Sequence, residues 1–143
     1  MFEISVEESF AAGHALRGYR GKCENVHGHN YKVRVTLRGA ELGTIGLLFD
    51  FKDLKDAIHA TIRKLDHQFL NEVPPFDAIN PSAENLAKYF FDETRLLLAE
   101  RAPNGNPSSA NPSAPCTVKE VTVWETDTTT ATYFATTESE PRL

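Results

Sequence analysis

Between Tyr31 and Arg38 the chain alternates without a break, with Tyr31, Val33, Val35 and Leu37 on one side and Lys32, Arg34, Thr36 and Arg38 on the other. Successive side chains of an extended strand point to opposite faces, so this octad predicts a half-buried strand with one apolar and one basic face. Residues 2–6 repeat the pattern, Phe2, Ile4 and Val6 opposing Glu3 and Ser5. Two helical stripes follow. Asp50 caps Phe51, Leu54, Ile58, Ile62 and Leu65, and after a loop from Asp66 to Pro81, Ser82 caps Leu86, Phe90, Leu97 and Leu98. Further strands are expected at 118–125 and 129–136. The order ββααββ implies an α+β fold, an antiparallel four-stranded sheet covered on one face by both helices.

The 143 residues are read as a single domain, 1–143, carrying within it a Pro/Ser/Asn-rich segment, 103–117, with the composition of a flexible insertion. No apolar run approaches the ~20 residues needed to span a bilayer. Glu3, Glu7 and Glu8 stand where a signal peptide needs positive charge. Cys23 and Cys116 are far apart and give no disulfide framework. The expectation is a cytoplasmic protein with no membrane partner. With 20 acidic and 15 basic residues the net charge is −5, which argues against general nucleic-acid binding. The exception is Arg17 to Arg38, where Arg17, Arg20, Lys22, Lys32, Arg34 and Arg38 face one acid, Glu24. Such a stretch could hold a small polyanion such as a polyphosphate, or be a solvated strand face.

The chemically suggestive residues cluster beside these strands. In Cys23-Glu24-Asn25-Val26-His27-Gly28-His29 the two imidazoles fall on one side of an extended chain, and His14 would lie near them if the first two strands pair. Three imidazoles make a catalytic type of Zn²⁺ site, with a fourth position open to water or substrate. The alternative is three separately hydrogen-bonded histidines. Cys23, next to Lys22, could be a reactive thiolate, an inert core cysteine, or a fourth ligand that closes the site. Asp66-His67 could work on a shared thiol as a carboxylate-tuned proton acceptor, or His67 could simply meet a helix C-terminus. Glu125 shares the Val121 and Val123 face, where a carboxylate needs a partner. A flat heterocycle offering two parallel N–H groups is one, and an arginine or water is another.

Taken in order, Phe10-Ala11-Ala12-Gly13-His14, Cys23-x-x-x-His27-Gly28-His29-Asn30-Tyr31, Asp50-Phe51, Leu65-Asp66-His67, Leu70-Asn71, Pro81-Ser82-Ala83-Glu84-Asn85 and Val121-Thr122-Val123-Trp124-Glu125-Thr126 resemble the 6-pyruvoyl-tetrahydropterin synthase family over nearly the whole chain. Within it they are most similar to the bacterial 6-carboxy-5,6,7,8-tetrahydropterin synthase branch. The resemblance implies the tunnelling fold, whose sheets join into a β-barrel, usually a homohexamer made as a dimer of trimers. It implies Zn²⁺ on His14, His27 and His29, proton transfer by Cys23, Asp66 and His67, and a pterin ring held by Glu125 with Ser82 nearby. The implied substrate is 7,8-dihydroneopterin triphosphate. In the carboxy branch the products are 6-carboxytetrahydropterin, acetaldehyde and triphosphate, on the route to queuosine. The pyruvoyl-forming reaction and a non-catalytic zinc-binding protein on the same scaffold are the alternatives. Ser82 stands where threonine is more usual, 103–117 is longer than the usual connection, and the branch assignment rests on the three residues between Cys23 and His27. A sheet this small cannot enclose such a substrate alone, which implies sites shared between copies.

Overall fold

A computed structural model of the chain describes residues 1–101 and 114–136. The alternating octad lies inside strand β2 (His27–Gly39), where Tyr31, Val33, Val35 and Leu37 are all fully buried. Strand β1 (Phe2–His14) pairs with β2 in antiparallel register along its whole length, from Phe2 opposite Gly39 to His14 opposite His27. On the other side of β2 lies β3 (Thr117–Thr126), and beyond it β4 (Thr129–Tyr133), giving the sheet order β1-β2-β3-β4.

Helix α1 (Phe51–Leu65) starts where Asp50 accepts a hydrogen bond from the Lys52 N–H at 2.8 Å, and it buries Leu54, Ala57, Ile58, Ile62 and Leu65. Helix α2 (Ala83–Arg101) starts at Ser82, whose hydroxyl oxygen accepts from the Asn85 N–H at 3.2 Å. It buries Leu86, Ala87, Phe90 and Phe91. α1 packs against β1, and α2 against β3 and β4, so one face of the sheet carries the core. There Phe10 stacks on Tyr31 with ring centroids 5.0 Å apart and also meets Phe90. Each such side chain removed from water stabilises the fold by roughly 1.5–3 kcal/mol. Among the described residues no helix is long and apolar enough to cross a membrane.

Three boundaries differ from the sequence expectation. β1 continues well past residue 6, because the inward Glu8, which interrupts the apolar pattern, meets the His59 ring of α1 at 3.0 Å. β4 ends at Tyr133 rather than 136. Residues 103–113 of the expected insertion lie outside the described residues. Its last residues belong to the fold, since Ala114 is buried, donates its N–H to Leu48 O at 3.0 Å and leads into β3 at Thr117. The Cys116 thiol is half-buried and its pKa is pushed up by that burial, as befits an inert cysteine.

The chain leaving α1 turns back along the outer edge of β1. The Ala11 N–H donates to Asp66 Oδ1 at 3.0 Å, the His67 N–H to Ala11 O at 2.6 Å, and the Gly13 N–H to Gln68 O at 3.0 Å. In a strand, alternate residues turn their backbone groups to the same edge, so Glu3, Ser5, Glu7 and Ser9 face this edge too. None of the described residues covers it there.

Candidate metal centre and active site

His14 closes β1, His27 opens β2 directly opposite it, and His29 pairs with Ala12 two residues further in. The period of two sends all three rings to the same side as Tyr31. Ring centroids are 4.5 Å apart for His14 and His27, 5.1 Å for His14 and His29, and 4.8 Å for His27 and His29. One ligand nitrogen from each lies within 4.8 Å of the others. Pairing of the first two strands, in this register, brings the three expected residues together.

Their outer hydrogen bonds define what the inner nitrogens are. His14 Nδ1 is 2.7 Å from Pro81 O, and His27 Nδ1 is 2.7 Å from Asn25 O. A carbonyl only accepts, so both Nδ1 atoms carry hydrogen and both Nε2 atoms are bare lone pairs in the neutral rings. Those two Nε2 atoms nevertheless stand 3.0 Å apart. Two lone pairs at that distance repel unless a cation lies between them, and a tetrahedral ion bonded to nitrogen at ~2.0–2.1 Å brings its ligands to a similar spacing. The third nitrogen, His29 Nε2, is buried with no hydrogen-bond partner. Burial, reinforced by any positive charge on His14 and His27, lowers the His29 pKa and so favours the neutral, ligating ring, against the opposing influence of Glu125. These residues fit a divalent ion of the zinc type.

Glu125 follows Val121 and Val123 on the face that also carries Tyr31, at the point where the β3–β4 register slips between Trp124 and Thr126. Its Oε1 lies 3.6 Å from His29 Nε2 and its Oε2 3.9 Å from His14 Nε2. The residue expected to hold a heterocycle therefore borders the imidazole cluster. Tyr31 completes this side, its hydroxyl oxygen 3.1 Å from His14 Nδ1. Burial and then the Glu125 charge push its pKa up, so it is a neutral phenol.

Cys23 lies in a 3-10 turn, Lys22–Glu24, within the β1–β2 connection, and its carbonyl accepts from the Leu16 N–H at 2.8 Å. Its sulfur is not among the clustered ligand atoms. That leaves the fourth-ligand reading without support. Nor does any hydrogen bond join it to Asp66 or His67 within the described chain. These last two do meet each other, with Asp66 Oδ2 3.0 Å from His67 Nδ1. Adjacent side chains converge here because His67 adopts φ +58, the left-handed region, as the chain swings from α1 onto the β1 edge. The His67 ring is exposed. With His29 it borders an open cleft of about 410 Å³ lined also by Ala11, Ala12, Gly13 and Gly28, within the usual range for small-molecule sites.

The Asp66 carboxyl is held below its usual range, first by the Ala11 N–H and then by His67. A group with a depressed folded-state pKa contributes stability above its unfolded value and loses it as pH falls through the folded one. Asp66→Asn keeps an oxygen for the Ala11 N–H but removes the ionisation. The melting temperatures of metal-free parent and variant should therefore keep a constant separation down to about pH 5 and converge as pH falls further. A separation that stayed constant below about pH 5 as well would show that the Asp66 charge is not linked to folding.

The basic stretch is largely committed elsewhere. Across the β1–β2 pair Arg38 meets Glu3 at 2.8 Å, while Lys32 and Arg34 lie 3.7 and 3.9 Å from Glu7 and over the Trp124 ring at 4.1 and 4.8 Å. Arg17 donates to three backbone carbonyls. Of the six, only Arg20 and Lys22 are exposed with neither an ion pair nor a side-chain hydrogen bond among the described residues, so the expectation of a broad polyanion surface shrinks to these two. Backbone carbonyls of Asn25 and Pro81, and the phenol of Tyr31, are site groups missed in the sequence, since a carbonyl leaves no residue-type signature.

Residues 3–136 match the family model for 6-pyruvoyl tetrahydropterin synthase. A 6-pyruvoyl tetrahydrobiopterin synthase of Poecilia reticulata is 38% identical over 114 residues, covering 70% of this chain and 78% of the relative. The 6-carboxy-5,6,7,8-tetrahydropterin synthase of Bacillus subtilis is 33% identical over 102 residues, 68% of each chain. The solved 6-pyruvoyl tetrahydropterin synthase of Caenorhabditis elegans superimposes with a TM-score of 0.76 at 28% identity, covering 94% of this chain and 96% of that one. With the motifs, the strand order and the histidine cluster all in agreement, the chain belongs to the 6-pyruvoyl tetrahydropterin synthase family.

Proposed function

We propose that the chain is a zinc-dependent 6-carboxy-5,6,7,8-tetrahydropterin synthase, converting 7,8-dihydroneopterin triphosphate and one water to 6-carboxytetrahydropterin, acetaldehyde and triphosphate. The observation that carries a catalytic centre is His29 Nε2, buried and without a hydrogen-bond partner beside two further bare imidazole nitrogens. The carboxy branch is supported by the interval of three residues between Cys23 and His27 and by the name of the Bacillus subtilis relative.

His14, His27 and His29 would hold the Zn²⁺, which when bound supplies Lewis acidity toward the substrate's side-chain hydroxyls. The chain's own groups then divide the remaining work. Cys23, as thiolate, takes and returns a proton at the side-chain carbon next to the ring. Asp66, against His67 Nδ1, fixes that ring so that Nε2 exchanges protons. Glu125 accepts two parallel N–H bonds from the pterin. Ser82 spends an oxygen lone pair on the helix cap but keeps its hydroxyl hydrogen for substrate. Arg20 and Lys22 face the triphosphate. That no hydrogen bond joins Cys23 to the Asp66–His67 pair among the described residues supports sites to which more than one copy contributes, as in the homohexamer that the resemblance implies.

The test is product analysis. Incubation of the zinc-loaded protein with 7,8-dihydroneopterin triphosphate should release acetaldehyde in step with triphosphate. Triphosphate release with a pterin that keeps its three-carbon side chain would assign the pyruvoyl-forming reaction instead.

A further inference from the structure

Two asparagines of the resemblance motifs, Asn71 and Asn80's neighbour Asn85, have no part in the chemistry above, yet they frame a connected set of bonds behind His14. Past the end of β1 the backbone continues through Ala15 and Arg17, whose N–H and C=O groups meet side chains of the segment between α1 and α2. No strand meets them there. Instead the Ala15 N–H donates to Asn71 Oδ1 at 2.9 Å and Asn71 Nδ2 donates to Ala15 O at 2.8 Å. Two residues on, the Arg17 N–H donates to Asn80 Oδ1 at 2.8 Å and Asn80 Nδ2 donates to Arg17 O at 2.9 Å. A side-chain amide carries the same donor and acceptor as a peptide group, so each asparagine replaces one rung of an absent strand.

The clamp is closed from both directions. The Arg17 guanidinium donates to the carbonyls of Asn71 at 3.0 Å, Phe76 at 2.9 Å and Ile79 at 3.3 Å. Asn85, in the first turn of α2, donates to Asn80 O at 2.8 Å. The next residue after Asn80 is Pro81, whose carbonyl takes the Nδ1–H of the fully buried His14 at 2.7 Å. Thus the imidazole and the carbonyl that orients it hang from opposite sides of the same pair of asparagine bonds.

We infer that Asn80, supported by Asn71, is a positioning residue for the metal centre, holding the Pro81 carbonyl so that His14 keeps its hydrogen on Nδ1 and presents a bare Nε2 beside His27 and His29. Outer partners of this kind change metal affinity by about 10- to 100-fold when removed. The inference rests on the metal-centre reading above.

Co²⁺ alone, titrated into the metal-free protein against a chromophoric chelator, separates the two. The parent should bind one Co²⁺ per chain, and Asn80→Ala should bind roughly 10- to 100-fold more weakly. In the metal-free state, long-range ¹H–¹⁵N spectra should show His14 as the Nδ1–H form in the parent and a mixture with the Nε2–H form in Asn80→Ala. Should Asn80→Ala fail to fold, Asn80→Asp keeps the acceptor for the Arg17 N–H, loses the donor to Arg17 O, and should show the same changes in smaller measure. A parent that binds no Co²⁺ overturns the metal centre and the positioning role together. A parent that binds, with a folded variant whose affinity stays within about twofold or whose His14 form is unchanged, overturns the positioning role alone.

Discussion

Replacing His29 by alanine is expected to deprive the protein of its metal and its turnover together while leaving the metal-free fold intact. Four-ligand zinc sites are worth about 10–16 kcal/mol, so one ligand of three or four accounts for roughly 3 kcal/mol, or 100- to 1000-fold in affinity. The effect on the empty protein runs the other way. His29 Nε2 is buried without a hydrogen-bond partner, and deleting an unsatisfied polar atom removes a destabilising term. Zn²⁺ present at about 1000 times its dissociation constant adds ~4 kcal/mol to the parent's stability by mass action. The parent should therefore melt on the order of 10 °C higher with Zn²⁺ than with chelator. His29→Ala, left with the ion at only about 1–10 times its own dissociation constant, should gain about 0.4–1.4 kcal/mol and so melt only a few degrees higher with Zn²⁺ than with chelator, its chelated value no lower than the chelated parent's. A variant that gained as much stability from Zn²⁺ as the parent would place the ion elsewhere.

The second large effect belongs to Cys23. Cys23→Ala should keep the metal at the parent's affinity and lower turnover by about 100- to 10,000-fold, the usual contribution of a positioned proton-transfer group. The reason for retention is geometric, since its thiol makes no bond to the imidazoles and its part in the loop is a backbone carbonyl that alanine preserves. Metal content by atomic absorption and turnover under saturating substrate give the two readouts. Loss of metal would make Cys23 a ligand, and undiminished turnover would remove it from the proton path.

Some of this was legible from residue type and spacing alone. The octad of β2 needs no knowledge of its neighbours, because alternation depends only on the local backbone. The His27 and His29 pair follows from the same period, and His14 joins it once β1 and β2 are taken as partners. What depended on partners across the sheet was not legible. Counted along the chain, Lys32, Arg34 and Arg38 look like free positive charge. The register sets Glu3 opposite Arg38 and Glu7 opposite Arg34, and the excess is mostly neutralised. Glu125 is a mixed case, since alternation with Val121 and Val123 gives its face, whereas the side chains it meets there follow from the pairing of β3 with β2. The Pro81 and Asn25 carbonyls, which decide the form of two histidines, belong to every peptide bond and so cannot be singled out in a sequence.

The half-covered edge of β1 has a consequence for solubility. Strand addition is how β-proteins aggregate, and an exposed edge is its template. Here the segment after α1 occupies that template from Ala11 onward, so that among the described residues only the Glu3 to Ser9 portion is open, and two of its four outward residues are glutamates. Asp66 is the first group on the covered side. Its bond to Ala11 thus marks a stop beyond which an incoming strand cannot extend. Peeling that segment away would convert a short, acidic docking edge into an uninterrupted thirteen-residue one.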